Sequence, residues 1–371
     1  MRVLHVISDR NIGGAGVLLC NLLRNFDPRR IESTVLLPKN SLLKERILAL
    51  GVDVWELEEE CDRFSVASVR EISGVIHRTG AQLLHANAAL CARIAAKRCH
   101  IPVVHTRHCC YPPRGIWKNS ILRHLGGVIN RRLSDRVIAT AEAAAEDLSL
   151  LGIPPQQIEV VINGSPAIRE IGEQEQRRAR ERFGIQKGEF VVGICARLEE
   201  CKGHRTFFEA AKLVMERLPT VSFRFLVVGT GTQRQALEAY CQSLGIAPFV
   251  RFTGFVEDMA TVYRLLRINV NCSTGTETSC LALSEGMSAG VPMIASDYGG
   301  NRSMIGDGHA GFLFPVGDAN ALADAILRIA SDINLENAMR REARARYEAH
   351  YTAKEMSQRV AHLYEELLLK S

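Results

Sequence analysis

Residues 273–292 read Ser273-Thr-Gly-Thr-Glu277-Thr-Ser-Cys-Leu-Ala-Leu-Ser-Glu285-Gly-Met-Ser-Ala-Gly290-Val-Pro292. A short apolar run, Ile268–Cys272, precedes this stretch, and a second, Met293–Ser296, follows it. Strand, polar loop, helix and the return turn Gly290-Val-Pro292 make one βα unit of an open sheet. Such sheets bind ligands at the carboxyl ends of their strands. Glu277 on the loop and Glu285 on the helix are therefore expected beside a crevice. A carboxylate offers two acceptor oxygens, which suits a pair of adjacent sugar hydroxyls. Two carboxylates at such a crevice suit a ligand rich in hydroxyls, such as a sugar.

Working outward, the same alternation fills the chain. Upstream, strands are expected at Val3–Ser8, Ser33–Leu37, Asp53–Leu57, Leu83–Ala86, Val103–Thr106, Val137–Thr140 and Ile158–Ile162. Helices are expected between them at Gly16–Arg24, Leu42–Leu50, Val66–Arg78, Leu90–Cys99, Trp117–Arg132 and Glu142–Leu151. The pattern breaks at Asn163-Gly-Ser-Pro166, before the charged, helix-prone Glu173–Phe183. It resumes with strands Val191–Cys195, Phe223–Val228, Val250–Phe252, Ile268–Cys272 and Pro292–Ala295. The later helices are expected at His204–Arg217, Arg234–Leu244, Ala321–Ile329, Leu335–Tyr347 and Ala353–Leu369. Alternating strands and helices imply parallel sheets covered on both faces.

At 371 residues and 47% hydrophobic, the chain can bury two cores. Met1–Ser8 reads as a strand and not as a secretory leader, and no apolar run is long enough to span a bilayer. The eleven cysteines are scattered with no C-x-x-C pair. A reduced, cytoplasmic setting is expected. Of the net charge of +5, all lies in residues 1–163, which carry 21 Lys/Arg against 16 Asp/Glu. The excess concentrates in Arg107, Arg114, Lys118, Arg123, Arg131, Arg132 and Arg136, opposed locally by Asp135. A face of this kind attracts phosphate or an anionic membrane, although each residue also fits a solvated helix surface.

Taken together, several motifs resemble the retaining glycosyltransferases of family 4. These are the Glu277/Glu285 pair with Gly-Val-Pro after it, Arg197 and Lys202 upstream, Gly13-Gly14, Gly229-Thr-Gly231, Phe252-Thr-Gly-Phe255 and Gly299-Gly-Asn301. The resemblance runs over nearly the whole chain. It implies the GT-B fold, an α/β architecture of two doubly wound Rossmann-like domains facing across a cleft. The implied division is an acceptor-binding domain over 1–165, a nucleotide-sugar domain over 166–350, and a C-terminal helix over 351–371 that returns to the first domain. The implied reaction moves a sugar from a nucleotide diphosphate sugar, UDP first and GDP second, to a glycan or lipid-linked hydroxyl. Nucleic acid is not an expected partner. No cofactor or metal is expected beyond the nucleotide sugar itself, since the chain has no D-x-D motif.

The resemblance also assigns roles. Arg197 and Lys202 match the cations on the donor diphosphate, where fixed positive charge stabilises a leaving group as its charge grows. A surface ion pair with Glu199 or Glu200 is the alternative for both. Glu285 matches the ribose-binding glutamate and Glu277 the one beside the donor sugar. Glu277 could instead simply complement a helix dipole. Backbone N–H groups of Thr278, Ser279, Cys280 and Leu281 could meet phosphate or sugar at the helix start, or Thr278 and Ser279 could be caps. Gly14 opens a helix beside the donor phosphates and acceptor. Gly229 turns near the nucleotide base.

His108 matches a histidine that hydrogen-bonds the donor sugar, and Arg107 an acceptor or phosphate contact. A zinc site of His105, His108, Cys109 and Cys110 is a competing reading, crowded for that metal. Departures from the family pattern are Ser303, where many relatives have glutamate, and Thr278-Ser-Cys280 after Glu277. They leave open a second class of function, a binding subunit that has lost part of its sugar grip. The stretch Ile116–Leu133, with Trp117, Ile121, Leu122, Leu125 and Ile129 among its cations, fits either an interfacial helix on an anionic membrane or ordinary core packing.

Overall fold

The computed structural model describes residues 1–370 except 9, 11, 12, 59–63, 88, 109–119, 276 and 307; for residues 120–125 it describes the backbone alone. The chain divides into two compact units, residues 1–165 with 353–371, and residues 166–352.

The first unit is built on seven strands: β1 (Arg2–Ile7), β2 (Glu32–Pro38), β3 (Asp53–Leu57), β4 (Leu83–Asn87), β5 (Val103–Arg107), β6 (Arg136–Ala139) and β7 (Ile158–Val160). All pair in parallel, in the order β3-β2-β1-β4-β5-β6-β7. Helices α1 (Gly14–Asn25), α2 (Lys44–Leu48), α3 (Val66–Thr79), α4 (Leu90–Arg98), α5 (Ser120–Leu133) and α6 (Glu142–Leu150) connect them. Strand cores such as Val3, Leu4, Val6 and Ile7 are almost fully buried, as strands covered on both faces must be.

The second unit starts with α7 (Glu173–Phe183). It carries strands β8 (Phe190–Cys195), β9 (Phe223–Val228), β10 (Val250–Gly254), β11 (Ile268–Asn271), β12 (Met293–Ser296) and β13 (Gly311–Phe314). These also pair in parallel, in the order β10-β9-β8-β11-β12-β13. Its remaining helices are α8 (His204–Arg217), α9 (Arg234–Ser243), α10 (Ala260–Tyr263), α11 (Leu281–Ser288), α12 (Asn301–Ile305), α13 (Ala319–Ala330) and α14 (Ile333–His350).

The last helix, α15 (Ala353–Leu369), packs on α1 in the first unit. Ala353 N–H donates to the Ser165 carbonyl, and the fully buried Tyr364 hydroxyl lies 2.5 Å from His85 Nδ1.

In both sheets the order of strand addition reverses once. In each, the first strand of the unit lies at the reversal, between the second strand and the fourth (β2-β1-β4 and β9-β8-β11). The crevices of doubly wound sheets open at such points, so the ends of β1 and β4, and of β8 and β11, are where ligands belong.

Three elements were not expected from the sequence: β13, α10 and α12. Each is four or five residues long, too short to display a hydrophobic period. The helix expected from Trp117 is described from Ser120. Trp117, Lys118 and Arg114 lie outside the described residues, as do the side chains of Ile121, Leu122, Arg123 and Leu125. Of that stripe, Ile129, Arg131 and Arg132 are exposed. The cationic stretch is more neutralised than its linear sequence indicates. Arg107 pairs with Asp147 at 2.9 Å and Arg136 with Glu366 at 3.3 Å, while Asp135 pairs with Lys97. Among the described residues, no helix is long and apolar enough to cross a membrane.

Candidate active site

At the end of β8 the chain turns through Ala196–Lys202 into α8. Leu198 is fully buried and plugs this loop to the core, with its N–H on the Thr230 carbonyl and its carbonyl taken by Gln233 N–H. Arg197, next to that anchor, is exposed and has no ion pair among the described residues. Glu199, the partner considered from sequence, instead accepts from the N–H and hydroxyl of Thr232.

Lys202 points the other way, into the second loop of the crevice. Its Nζ lies 2.7 Å from Glu277 Oε2 and 3.4 Å from Ser273 Oγ. Ser273 donates to the same carboxylate oxygen at 2.6 Å. Two residues expected to serve diphosphate and sugar separately are thus held together across 75 positions of sequence. The surface-pair alternative with Glu199 or Glu200 does not apply to Lys202. Burial is the largest single influence and lowers the lysine's pKa, but the Glu277 carboxylate, through charge and hydrogen bond, together with the nearby thiols of Cys280 and Cys201, turns the net direction upward. Glu277 is buried, with Oε2 engaged and Oε1 making no hydrogen bond among the described residues. One oxygen is locked and the other remains an acceptor.

The loop bearing Glu277 is fixed by polar groups at the strand ends. Asn271 Oδ1 accepts from Ser273 N–H at 2.9 Å, Ser296 Oγ donates to the Ser273 carbonyl at 2.6 Å, and the fully buried Asn301 donates to the Ser296 carbonyl at 3.0 Å. Burying polar groups is costly unless they are paired, and in this network Asn301 Oδ1 is left without a partner among the described residues while its amide nitrogen and the serines are engaged. Here the pairing fixes a loop with no regular structure of its own. The motif Gly299-Gly-Asn301 finds its purpose in this network. Gly299, at φ 54°, brings its backbone against the Glu277 carbonyl, 2.1 Å from where a Cβ would sit.

Cys280, not Thr278 or Ser279, occupies the capping position of α11, and its thiol faces Asn271 Nδ2 at 3.0 Å. The cap reading of Thr278 and Ser279 is therefore corrected; both are buried. No acidic residue lies in the first turn of α11, so Glu277 is not the dipole partner either. The helix starts at Leu281 without a side-chain cap, leaving its N-terminal dipole for a ligand. Its other end is closed by arginines, Arg344 on the Ser288 carbonyl, Arg264 on Ala289 and Arg340 on Gly290. Glu285 stands one turn into α11 and is half-buried. Its Oε2 accepts from the Tyr263 hydroxyl at 2.9 Å. Desolvation pushes its carboxyl up to about 7, with the tyrosine's hydrogen bond opposing the rise.

Glycine sets the spacing between these loops. Gly203, at φ 66°, enters α8 with the Cys272 carbonyl 2.1 Å from the position of a Cβ. Gly229, at φ 134°, lies equally close to the Ala196 carbonyl, so it carries the Arg197 loop on its backbone. Replacing Gly203 by Ala should cost about 2–4 kcal/mol, from left-handed strain plus a backbone overlap that cannot relax. Thermal unfolding would register this as a drop of several degrees; an unchanged melting temperature would mean that the loops separate freely.

In the first unit, Gly14 begins α1 exposed, with open space where its Cβ would be, whereas a Cβ on Gly16 would strike Leu43. Of these two, Gly14 leaves room for a ligand among the described residues, and Gly16 is a packing glycine. His108, just past β5, is half-buried, and its Nε2 lies 2.9 Å from Asn87 Oδ1 at the end of β4. Asn87 Nδ2 faces the Val6 carbonyl, so Oδ1 is the atom that accepts and His108 Nε2 carries the proton. Burial lowers its pKa to about 4, which keeps the ring neutral. Cys109 and Cys110 of the zinc reading lie outside the described residues; among those described, no group of three His, Cys, Asp or Glu could hold a metal.

Tyr263, Asn271, Ser273 and Ser296 carry no assigned role in the sequence, and Asn301 enters there only as the end of the Gly299-Gly-Asn301 motif. A signal was present for the asparagines and serines, which end apolar strands or close a glycine pair. Tyr263 left none.

Comparison with known proteins identifies the family and the fold. A family model described as Glycosyltransferase Family 4 matches residues 12–166, and one described as Glycosyl transferases group 1 matches residues 189–332. Together they span most of the chain. EpsD of Bacillus subtilis (strain 168), a protein named as a glycosyltransferase, is 28% identical over 275 residues, 71% of each chain. A D-inositol 3-phosphate glycosyltransferase of Rhodococcus erythropolis is 30% identical over 282 residues, 71% of this chain and 63% of that enzyme. The crystal structure of Anabaena Alr3699/HepE in complex with UDP-glucose superposes with a TM-score of 0.86 at 21% identity, over 99% of this chain and 100% of that one.

Proposed function

Because this chain belongs to the family 4, group 1 glycosyltransferases and has their GT-B fold, we propose that it transfers a sugar from a nucleotide diphosphate sugar to a hydroxyl of a glycan or lipid-linked acceptor. In this reading the anomeric configuration is retained, no metal ion takes part, and UDP is the first choice of nucleotide, with GDP second. The UDP-glucose held by the Anabaena protein supports that order. The observation that carries the proposal is the constellation at the β8/β11 reversal. It comprises an exposed Arg197, a buried Lys202–Glu277 pair with one free carboxylate oxygen, and Glu285 with one oxygen engaged.

In the proposed reaction the acceptor's hydroxyl oxygen bonds to the anomeric carbon from the face that the diphosphate leaves. The anomeric C–O bond breaks, its electron pair goes to the phosphate oxygen, and that oxygen takes the hydroxyl proton. No protein nucleophile is required. Arg197 clamps diphosphate oxygens with its planar fork, and Lys202 adds a point charge. Glu277 Oε1 accepts from a sugar hydroxyl, and Glu285 from the ribose. The backbone of Thr278–Leu281 and Gly14 faces the anionic and sugar groups, Gly229 supports the base side, and the neutral His108 bonds the donor sugar.

The exposed Ile129, Arg131 and Arg132 on α5 suit peripheral contact with an anionic, cytoplasmic membrane surface that presents the acceptor.

A thermal-shift panel of UDP, GDP, ADP, TDP and NAD tests the donor class. A ligand that binds only the folded chain at one hundred times its Kd adds about 2.7 kcal/mol. One nucleoside diphosphate should raise the melting temperature by several degrees, and Glu285→Gln should abolish most of that shift. Labelled sugar released from the matching donor then identifies an enzyme. Binding without release would support the non-catalytic subunit, for which Ser303, its hydroxyl turned back onto the Gly300 carbonyl, is the motivating feature.

A further inference from the structure

Tyr263 is the last residue of the short helix α10, fully buried, and its hydroxyl donates to Glu285 Oε2 at 2.9 Å while lying 3.2 Å from the Ala282 carbonyl. The next residue, Arg264, holds the carbonyls of Ile168 and Ala289. α10 is thus anchored on one side of the tyrosine and bonded to the functional carboxylate on the other. A fully buried phenol that reaches a carboxylate on the crevice helix, with the Ala282 carbonyl and the Cys195 thiol as its other hydrogen-bonding neighbours, does more there than fill space. We propose that Tyr263 is the positioning residue for Glu285. Its hydroxyl holds one carboxylate oxygen, favours the ionised form in a desolvated site, and presents the other oxygen to the nucleotide's ribose. This rests on the reading of Glu285 as the ribose-binding glutamate.

The electrostatics around Glu285 leave Tyr263 as the group able to do this. The thiols of Cys195, at the end of β8, and Cys280, capping α11, are both pushed up by burial, the latter to about 12, and stay neutral. Lys202 is engaged by Glu277. Arg340 and Arg344 of α14 reach the opposite end of α11, at the Gly290 and Ser288 carbonyls. Against desolvation, which pushes Glu285 up to about 7, the hydrogen bond from Tyr263 is the opposing influence. A hydrogen bond to a charged group shifts a titration by about one unit or more. Without it Glu285 would be mostly protonated at neutral pH, and a protonated carboxyl is a poorer acceptor for ribose hydroxyls.

The test is the Kd of UDP (or of GDP, if the wild type binds that instead) measured from pH 6 to 9 for wild type, Tyr263→Phe and Glu285→Gln. Wild-type affinity should strengthen as pH rises through about 7. Tyr263→Phe removes a single oxygen atom; it should move that midpoint upward by about one pH unit and raise Kd about five-fold at pH 7. The two proteins should converge toward pH 9, as they would not if the variant were merely misfolded. Glu285→Gln should bind weakly with no midpoint near 7. An unshifted midpoint in Tyr263→Phe, with Glu285→Gln impaired, overturns the positioning role alone. Unimpaired binding by Glu285→Gln overturns the ribose reading and this role with it.

Discussion

Lys202→Ala is expected to lower kcat for sugar transfer by about 10²–10³-fold, the cost of removing one fixed electrostatic partner from a developing anion. The argument is differential. Charge on the diphosphate grows as the anomeric C–O bond breaks, so a lysine held beside it stabilises the transition state more than bound donor. Lys202 is suited to this because it is already desolvated and oriented by Glu277 and Ser273.

The same burial creates a second cost. With the lysine gone, Glu277 remains buried with Ser273 as its nearest donor, and stranding one partner of a buried pair costs about 3–5 kcal/mol. Steady-state kinetics must therefore be paired with melting temperatures. Glu277→Gln keeps the shape of the site and relieves the stranded charge, so the double variant with Lys202→Ala should recover stability but not turnover. A well-folded Lys202→Ala that loses less than ten-fold in kcat would remove the lysine from the leaving-group role. Lys202→Arg should not rescue, since a planar fork cannot replace a compact ammonium between two loops.

Acid should unfold the first unit before the second. His5, His85 and His105 are nearly fully buried in its sheet, and burial lowers His5 to about 3 and the other two well below the usual imidazole range. The sign follows from linkage. The unfolded chain takes up protons near pH 6.5 while the folded one does not, so stability is full above 6.5 and is lost as pH falls toward the folded values. With His108 of the same unit, also lowered by burial to about 4, four such groups remove on the order of 5 kcal/mol between pH 7.5 and 5.5, a large part of a domain's 5–15 kcal/mol. The second unit has one comparable group, His204, lowered to about 4. Protonating His85 would also strain its contacts with Tyr364 and Thr106, and the first of these docks the returning helix α15.

Both tryptophans, Trp55 and Trp117, belong to residues 1–165, so their fluorescence reports this unit while circular dichroism reports both. Urea unfolding at the two pH values should show the fluorescence midpoint falling well ahead of the dichroism midpoint at pH 5.5. Coincident, pH-independent midpoints would contradict the account.

Much of this architecture is visible along the chain. Alternating apolar runs and amphipathic segments locate most of the strands and longer helices to within a residue or two, because hydrophobic period and length are local properties. Glu277 and Glu285 stand out because a loop and the helix after it lie close in sequence. The missed elements β13, α10 and α12 are too short to complete a period, so their existence depends on what they pack against.

Strand order is a different matter. Alternation implies parallel sheets but does not say that β8 lies beside β11, and that adjacency is what brings Lys202 onto Glu277. The same holds for Gly203 against the Cys272 carbonyl, for Tyr263 on Glu285, and for the acids Asp147 and Glu366 that neutralise part of the cationic stretch. The sequence alone determined the element types, the parallel class and the two carboxylates, through periodicity and short-range spacing. Only the tertiary structure decided which charges pair and which oxygens stay open, because those contacts join residues that nothing but the order of strands brings together.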